Sequence, residues 1–156
     1  MIENSHVSLL KFIWRKSLLN QLIYSSRATR PLTSADLNAI ISSAQRNNLP
    51  HEITGALCYA RGTFVQCLEG EPSTIDQLYQ LLHKDERHSE LKTLDIREIS
   101  KRRFPNWAMG FFSYENEIGQ LFLKHSRMAE FEPFSMSAPD GNEFFDEVVK
   151  YVTLPK

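Results

Sequence analysis

Apolar and polar positions alternate from Gln21 to Ser26, with Leu22 and Tyr24 on one face and Ile23 on the other. That period of two predicts a short strand. A loop with Pro31 follows, and Thr33 then offers an N-cap with Asp36 three residues on. Leu37, Ile40, Ile41 and Ala44 recur at i, i+3, i+4 and i+7, predicting an amphipathic helix that ends near Asn47. In ITGALCYARGTFVQCLEG, two β-favouring runs flank Ala60-Arg61-Gly62 and predict a hairpin. Glu71-Pro72-Ser73 opens a second helix, with Ser73 as the expected cap and Ile75, Leu78, Tyr79 and Leu82 as its buried stripe. Leu91 to Ile99 predicts a fourth strand and Ala108 to Phe112 a fifth. Beyond Tyr114 the chain is expected to turn helical again, with Asn142 capping a helix whose stripe is Phe144, Phe145, Val148, Val149 and Val152. At the other end, Leu10, Ile13, Trp14 and Ser17 stand at helical spacing between Val7 and Leu19, a short amphipathic segment expected to pack on the domain or on a second subunit.

The order β-α-β-β-α-β is the ferredoxin-like α+β pattern, here with an added fifth strand. It implies a mixed sheet with two helices on one face and C-terminal helices on the other, since a bare apolar sheet face must be covered. The 156 residues suffice for one such domain and not for two.

Composition narrows the function. Lys plus Arg number 18 against 19 Asp plus Glu, so net charge gives no support to a nucleic-acid or membrane-surface role. Cys58 and Cys67 form neither a zinc pattern nor a disulfide framework, which points to a reducing cytoplasm. No apolar run reaches the length of a membrane span, and Lys11, Arg15 and Lys16 make the first segment a poor signal peptide. His51, His83 and His88 lack metal-ligand spacing, so no metal is expected. Arg97, Lys101, Arg102 and Arg103 form a basic cluster diluted by Asp95 and Glu98, read as a solvated strand end.

Specific information lies in polar residues where packing alone would prefer apolar ones. Tyr24 sits mid-strand on the face the helices should cover. Gln66 lies between Phe64 and Leu68 on a core-facing side, where its carbonyl and NH₂ both need partners. Asn47 and Asn48 end the first helix, where an ordinary C-cap is the alternative; Tyr24 could equally be a plain core tyrosine. Together they outline a polar cleft suited to a flat heteroaromatic with amide-like edges. Cys67, next to Gln66, should face the opposite side as a small hydrophobe.

The blocks QLIYSSRAT, RNN, ITGALCYARGTFVQCLEG, KDERHSEL and KRRFPNWAMG resemble, in order and spacing, the BLUF domain of flavin-binding blue-light sensors, over about Gln21 to Phe112. The resemblance implies a flavin-binding domain over 21–114, which leaves residues 1–20 as an N-terminal extension and 115–156 as a helical extension expected to pack on the sheet, neither carrying family information. It implies FAD as cofactor, with FMN or riboflavin as alternatives. It assigns Tyr24 and Gln66 as the photoactive pair, Asn48 as a hydrogen-bond partner of the flavin ring, and Asn47 as a residue flanking it. Asp85, Arg87 and His88 match the DxRH stretch near the ring and ribityl chain, and Ile40 and Phe64 complete the expected cofactor-binding set. Trp107 and Met109 match a WxM signal relay. The implied activity is photosensory, with no catalytic domain, a downstream protein partner and a homo-oligomeric state. The chemistry agrees: a phenol donates an electron to an excited flavin, and a primary amide can relay the phenolic proton and then rearrange.

Three rival readings compete. RRM domains share this element order, and Arg61, Gly62, Phe64 and Val65 echo an RNA-binding motif, yet the stacking aromatics are incomplete and Glu69 follows closely. A light-independent flavin protein would need a hydride acceptor site or catalytic base, and none is visible. A phosphatase-like site would need a Gly-rich phosphate loop, which Arg27 and Arg30 do not have beside them.

Overall fold

The computed structural model describes residues 18–113, 124 and 133–153. Strand β1 (Leu19–Ala28) leads into helix α1 (Ser34–Asn48), then β2 (Thr54–Ala60), β3 (Thr63–Gly70), helix α2 (Pro72–Lys84), β4 (His88–Ile99) and β5 (Gly110–Ser113). Helix α3 (Ala138–Thr153) closes the described part. The sheet order is β4-β1-β3-β2-β5. The first four strands pair antiparallel and β5 runs parallel to β2, as the ferredoxin-like reading expects.

Local chemistry accounts for the elements. The Thr33 side chain accepts from Asp36 N–H at 3.1 Å while the Asp36 carboxylate accepts from Thr33 N–H at 2.9 Å, a reciprocal cap that starts α1. The β2–β3 turn is Arg61-Gly62 with φ of 49° and 80°, the left-handed pair a two-residue hairpin requires. At Gly55 an added Cβ would stand 2.0 Å from the Cys67 carbonyl oxygen, so no side chain fits between β2 and β3 there.

Two cores sandwich the sheet. Leu22, Tyr24, Leu57, Phe64 and Leu68 pack beneath α1 and α2. Ile23, Ala56, Cys58, Val65 and Cys67 pack beneath α3, which buries Phe144, Phe145 and Val148 completely. Each of these three side chains contributes about 1.5–3 kcal/mol. Burying Cys58 and Cys67 also pushes both thiols well above their usual acidity range. An RRM-like use of the sheet fails here, because both faces are covered and its aromatics are internal.

Several expectations change. Helix α2 starts two residues earlier than the Ser73 cap requires: Pro72 takes the first helical position, where its missing N–H costs nothing, and Glu71 is the cap. Asn142 is no cap but lies one turn inside α3. Ser137 and Asp140 bond reciprocally at that helix start, at 3.1 and 3.2 Å. Strand β4 begins at His88 rather than Leu91. Strand β5 begins at Gly110 rather than Ala108, because the β2 ladder starts at Ala56 opposite Gly110. The basic cluster is not simply solvated. Glu69, fully buried on β3, accepts the N–H groups of Arg103 at 2.5 Å and Phe104 at 3.0 Å. The Arg103 guanidinium then turns inward to Gln21, Asn142 and Asp146. The amphipathic segment expected between Val7 and Leu19 lies, up to Ser17, outside the described residues, as do the Val152 side chain and the chain over 114–123 and 125–132.

Candidate functional site

Between α1, α2 and the sheet lies a cavity of about 490 Å³. Its floor is the helix-facing side of β1 and β3, with Tyr24, Ser26, Phe64, Gln66 and Leu68 at alternate positions. Helix α1 contributes Ile40, Ser43, Ala44, Asn47 and Asn48; α2 contributes Thr74, Gln77, Leu78 and Leu81 at i, i+3, i+4 and i+7. Asp85, Arg87 and His88 close one end. The cavity thus brings together Tyr24, Ile40, Asn47, Asn48, Phe64, Gln66, Asp85, Arg87 and His88. Trp107 and Met109 are not on its wall.

Tyr24 and Gln66 are direct cross-strand partners of β1 and β3. The Tyr24 hydroxyl donates to Gln66 Oε1, and Gln66 Nε2 contacts Met109 Sδ at 3.2 Å. Both halves of the buried amide are therefore satisfied. Burial, and then Tyr79 and Asp85 nearby, push the Tyr24 phenol well above its ordinary value of 10.0, so it stays protonated. Met109 is 3% exposed. Trp107 lies on the far side of that loop, stacked on Phe104 at 5.5 Å between centroids and lying across Gly110. Met109, not Trp107, thus touches the pair, and both precede β5 instead of lying in it.

Asn48 is 3% exposed, and its Nδ2 donates to the Ala108 carbonyl at 2.9 Å. Gln45 Nε2 donates to the Met109 carbonyl at 3.0 Å. Two side chains from the last turn of α1 therefore hold the backbone carrying Met109. At the other end, Arg87 forks onto the Asp85 carboxylate, and this hydrogen-bonded pairing holds that carboxyl below its usual range. Burial lowers His88, against the pull of Asp85, and its Nδ1 is buried with no hydrogen-bond partner among the described residues. Sequence reasoning missed Ser26, Ser43, Arg46, Thr74 and Gln77 on the wall. Ser26 was findable as the strand neighbour two positions from Tyr24, and Thr74 and Gln77 by their helical spacing with Leu78 and Leu81.

The lining fits a flavin: apolar walls for a flat ring system, the side-chain amides of Asn47, Asn48 and Gln66, and the imidazole of His88 beside Asp85 and Arg87. The sequence matches the BLUF family, described as sensors of blue-light using FAD, over residues 19–110. The chain belongs to this family. It is a blue-light photoreceptor that uses FAD. Photoactivated adenylate cyclase subunit beta of Euglena longa is 40% identical over 94 residues, which cover 60% of this chain and 11% of that protein. The corresponding subunit of Euglena gracilis is 38% identical over 58% of this chain. The chain thus matches only a small fraction of the length of these curated relatives. Among solved structures, the dark state of the BLUF protein BlrB aligns with a TM-score of 0.74 at 31% identity, covering 89% of this chain and 99% of that one. The ground state of BlsA aligns with a TM-score of 0.77 at 28% identity, covering 84% and 87%. Among the described residues, no helix is long and apolar enough to cross a membrane.

Proposed function

We propose that Tyr24 and Gln66 are the photoactive pair of this receptor, with Tyr24 as electron donor and Gln66 as proton relay. The observation that carries this is the buried hydrogen bond from the Tyr24 hydroxyl to Gln66 Oε1, with Nε2 turned to Met109 Sδ. Flavin, when bound, supplies the light absorption and a strong excited-state oxidant. The chain does the rest. The Tyr24 proton already points at an acceptor, so electron loss and proton transfer can occur without reorganisation. A protonated Gln66 Oε1 cannot keep the same donor and acceptor pattern, so the amide rotates or tautomerises. Its contact with Met109 Sδ changes in the same step, which carries the event to residues 107–109. Asn47, Asn48, Asp85, Arg87 and His88, walled by Ile40 and Phe64, hold the cofactor.

Output is read by another protein or domain rather than by chemistry in these residues. Support comes from the relatives, whose names describe a photoactivated cyclase and, for a solved structure, a light-regulated adenylyl cyclase. We assign the sensor core to 21–114, flanked by extensions over 1–20 and 115–156, in a homo-oligomer that works in the cytoplasm. Difference spectra of Tyr24→Phe under blue light test the central assignment: loss of the reversible red shift with flavin retained is expected, and a full-amplitude shift overturns it.

A further inference from the structure

We propose that Tyr79 is a positioning residue for the photochemistry of Tyr24: its ring is a lid on the β4 side that holds the phenol on Gln66 and keeps water off it. The inference rests on the Tyr24–Gln66 reading above.

The sheet protects Tyr24 on one side only. Toward β3 its cross-strand neighbour is Gln66, 6% exposed. Toward β4, an edge strand, its neighbour is Thr93, which is exposed. The register there skips Leu94, which turns to the opposite core, so a small threonine stands where a larger residue could have shielded the phenol. Yet Tyr24 is only 3% exposed. Cover comes from α2. The Tyr79 ring lies 5.6 Å from the Tyr24 ring, centroid to centroid, inclined by 51°. Its hydroxyl oxygen is 2.5 Å from Thr93 Oγ1, which ties the lid to the strand edge. His83, one turn on, packs edge-on against its outer side at 4.6 Å. Tyr79 is thus held on three sides, by Tyr24, Thr93 and His83, and does not line the cofactor cavity.

The chemistry needs such a lid. A water molecule at the phenol would compete with Gln66 Oε1 as acceptor and let the ring drift from its proton-transfer geometry. Displacements of this kind are costly: about 1 Å can reduce a rate by about a hundredfold. A plain core tyrosine in the α2 stripe would contribute to stability alone and leave proton transfer untouched.

The test uses flavin-loaded protein and two readouts: exchange of the Tyr24 hydroxyl proton with water, followed by NMR in the dark, and the quantum yield of the red-shifted state. Loss of the signal in Tyr24→Phe identifies the proton. In Tyr79→Leu, flavin occupancy is expected to stay normal, exchange to quicken about tenfold and the yield to fall about tenfold. Tyr79→Phe keeps the ring and is expected to restore most of both. Thr93→Val, at an exposed position where folding is not at stake, should move both readouts in the same direction by about twofold or more. Wild-type exchange and yield in Tyr79→Leu, or in Thr93→Val should Tyr79→Leu not fold, overturn the lid while Tyr24→Phe still lacks the red shift. A red shift that persists in Tyr24→Phe overturns the underlying pair as well.

Discussion

Tyr24 and Gln66, forty-two positions apart in sequence, face each other in the antiparallel register of β1 and β3 and share a buried hydrogen bond. Register makes this pairing strict. A slip of β3 by one residue would turn Gln66 to the α3 face, away from Tyr24, and leave an unpaired amide in an apolar core.

That relationship predicts two separable phenotypes. Tyr24→Phe keeps ring shape and packing but removes the proton, so the variant should bind flavin, look nearly normal in the dark and show no reversible red shift. Gln66→Leu keeps approximate volume and deletes the rearranging amide. It should retain flavin, with a slightly blue-shifted dark spectrum and no normal signalling state. Steady-state difference spectra read both. If the two residues are merely packed, stability falls and the photochemistry survives.

Asn48 predicts a coupled loss. Replacing it by alanine removes an amide from the cavity wall together with its 2.9 Å bond to the Ala108 carbonyl, a cost of roughly 1–3 kcal/mol. Flavin occupancy in purified Asn48→Ala should fall clearly, and exchange at the amides of residues 107–110 should rise. Normal occupancy with raised exchange would mean that Asn48 is only a strut.

Much of this is legible in the sequence alone. The floor of the cavity could be read because strand periodicity alone puts Tyr24, Phe64, Gln66 and Leu68 on one face. The cap at Thr33 could be read because both of its partners are local. Asn142 and Ser73 each look like a cap but are not one: Asn142 is taken by Gln21, distant in sequence, while for Ser73 the adjacent Pro72 fills the first helical position ahead of it. The inward-bonded role of the partly buried Arg103 was invisible, since only the fold brings it to Glu69 and Gln21 from 34 and 82 positions away. Tyr79 was visible as part of an apolar stripe, but its neighbour Thr93 depends on a register irregularity that no pattern announces.

His88 sets a pH dependence. Burial lowers its folded-state pKa below the ordinary 6.5, so the unfolded chain binds the proton more readily. The stabilisation is present above about pH 6.5 and is lost as pH falls from there toward the folded value. Asp85, held low chiefly by Arg87, adds a second loss below about pH 3.8. Urea midpoints should therefore decline from neutral pH toward pH 5, and His88→Gln should flatten that slope. A slope unchanged in His88→Gln would place the titrating group elsewhere.

The Glu69–Arg103 cluster predicts how the light signal leaves the cavity. Glu69 lies on the same strand as Gln66 and fixes the backbone of Arg103 and Phe104, while Phe104 stacks on Trp107 two residues before Met109. From the same loop, Arg103 reaches Asn142 and Asp146 on α3, and Asn142 in turn bonds Gln21 on β1 and Asp95 on β4. A displacement of Met109 that follows rearrangement of Gln66 therefore meets a loop clamped at Glu69 and joined to α3 through the Arg103 guanidinium and the edge-on Phe104–Phe145 contact. Hydrogen exchange compared in dark and light should differ within residues 100–109 and again within 138–151. Arg103→Ala leaves the Gln21 and Asn142 side chains short of a buried partner, and stability should fall by roughly 1–3 kcal/mol. Its red shift should persist, because no cavity wall is touched, while the light-dependent difference in α3 shrinks to what the Phe104–Phe145 contact alone carries. Exchange differences confined to the cavity walls in wild type, or an undiminished α3 response in Arg103→Ala, would show that the signal takes another path.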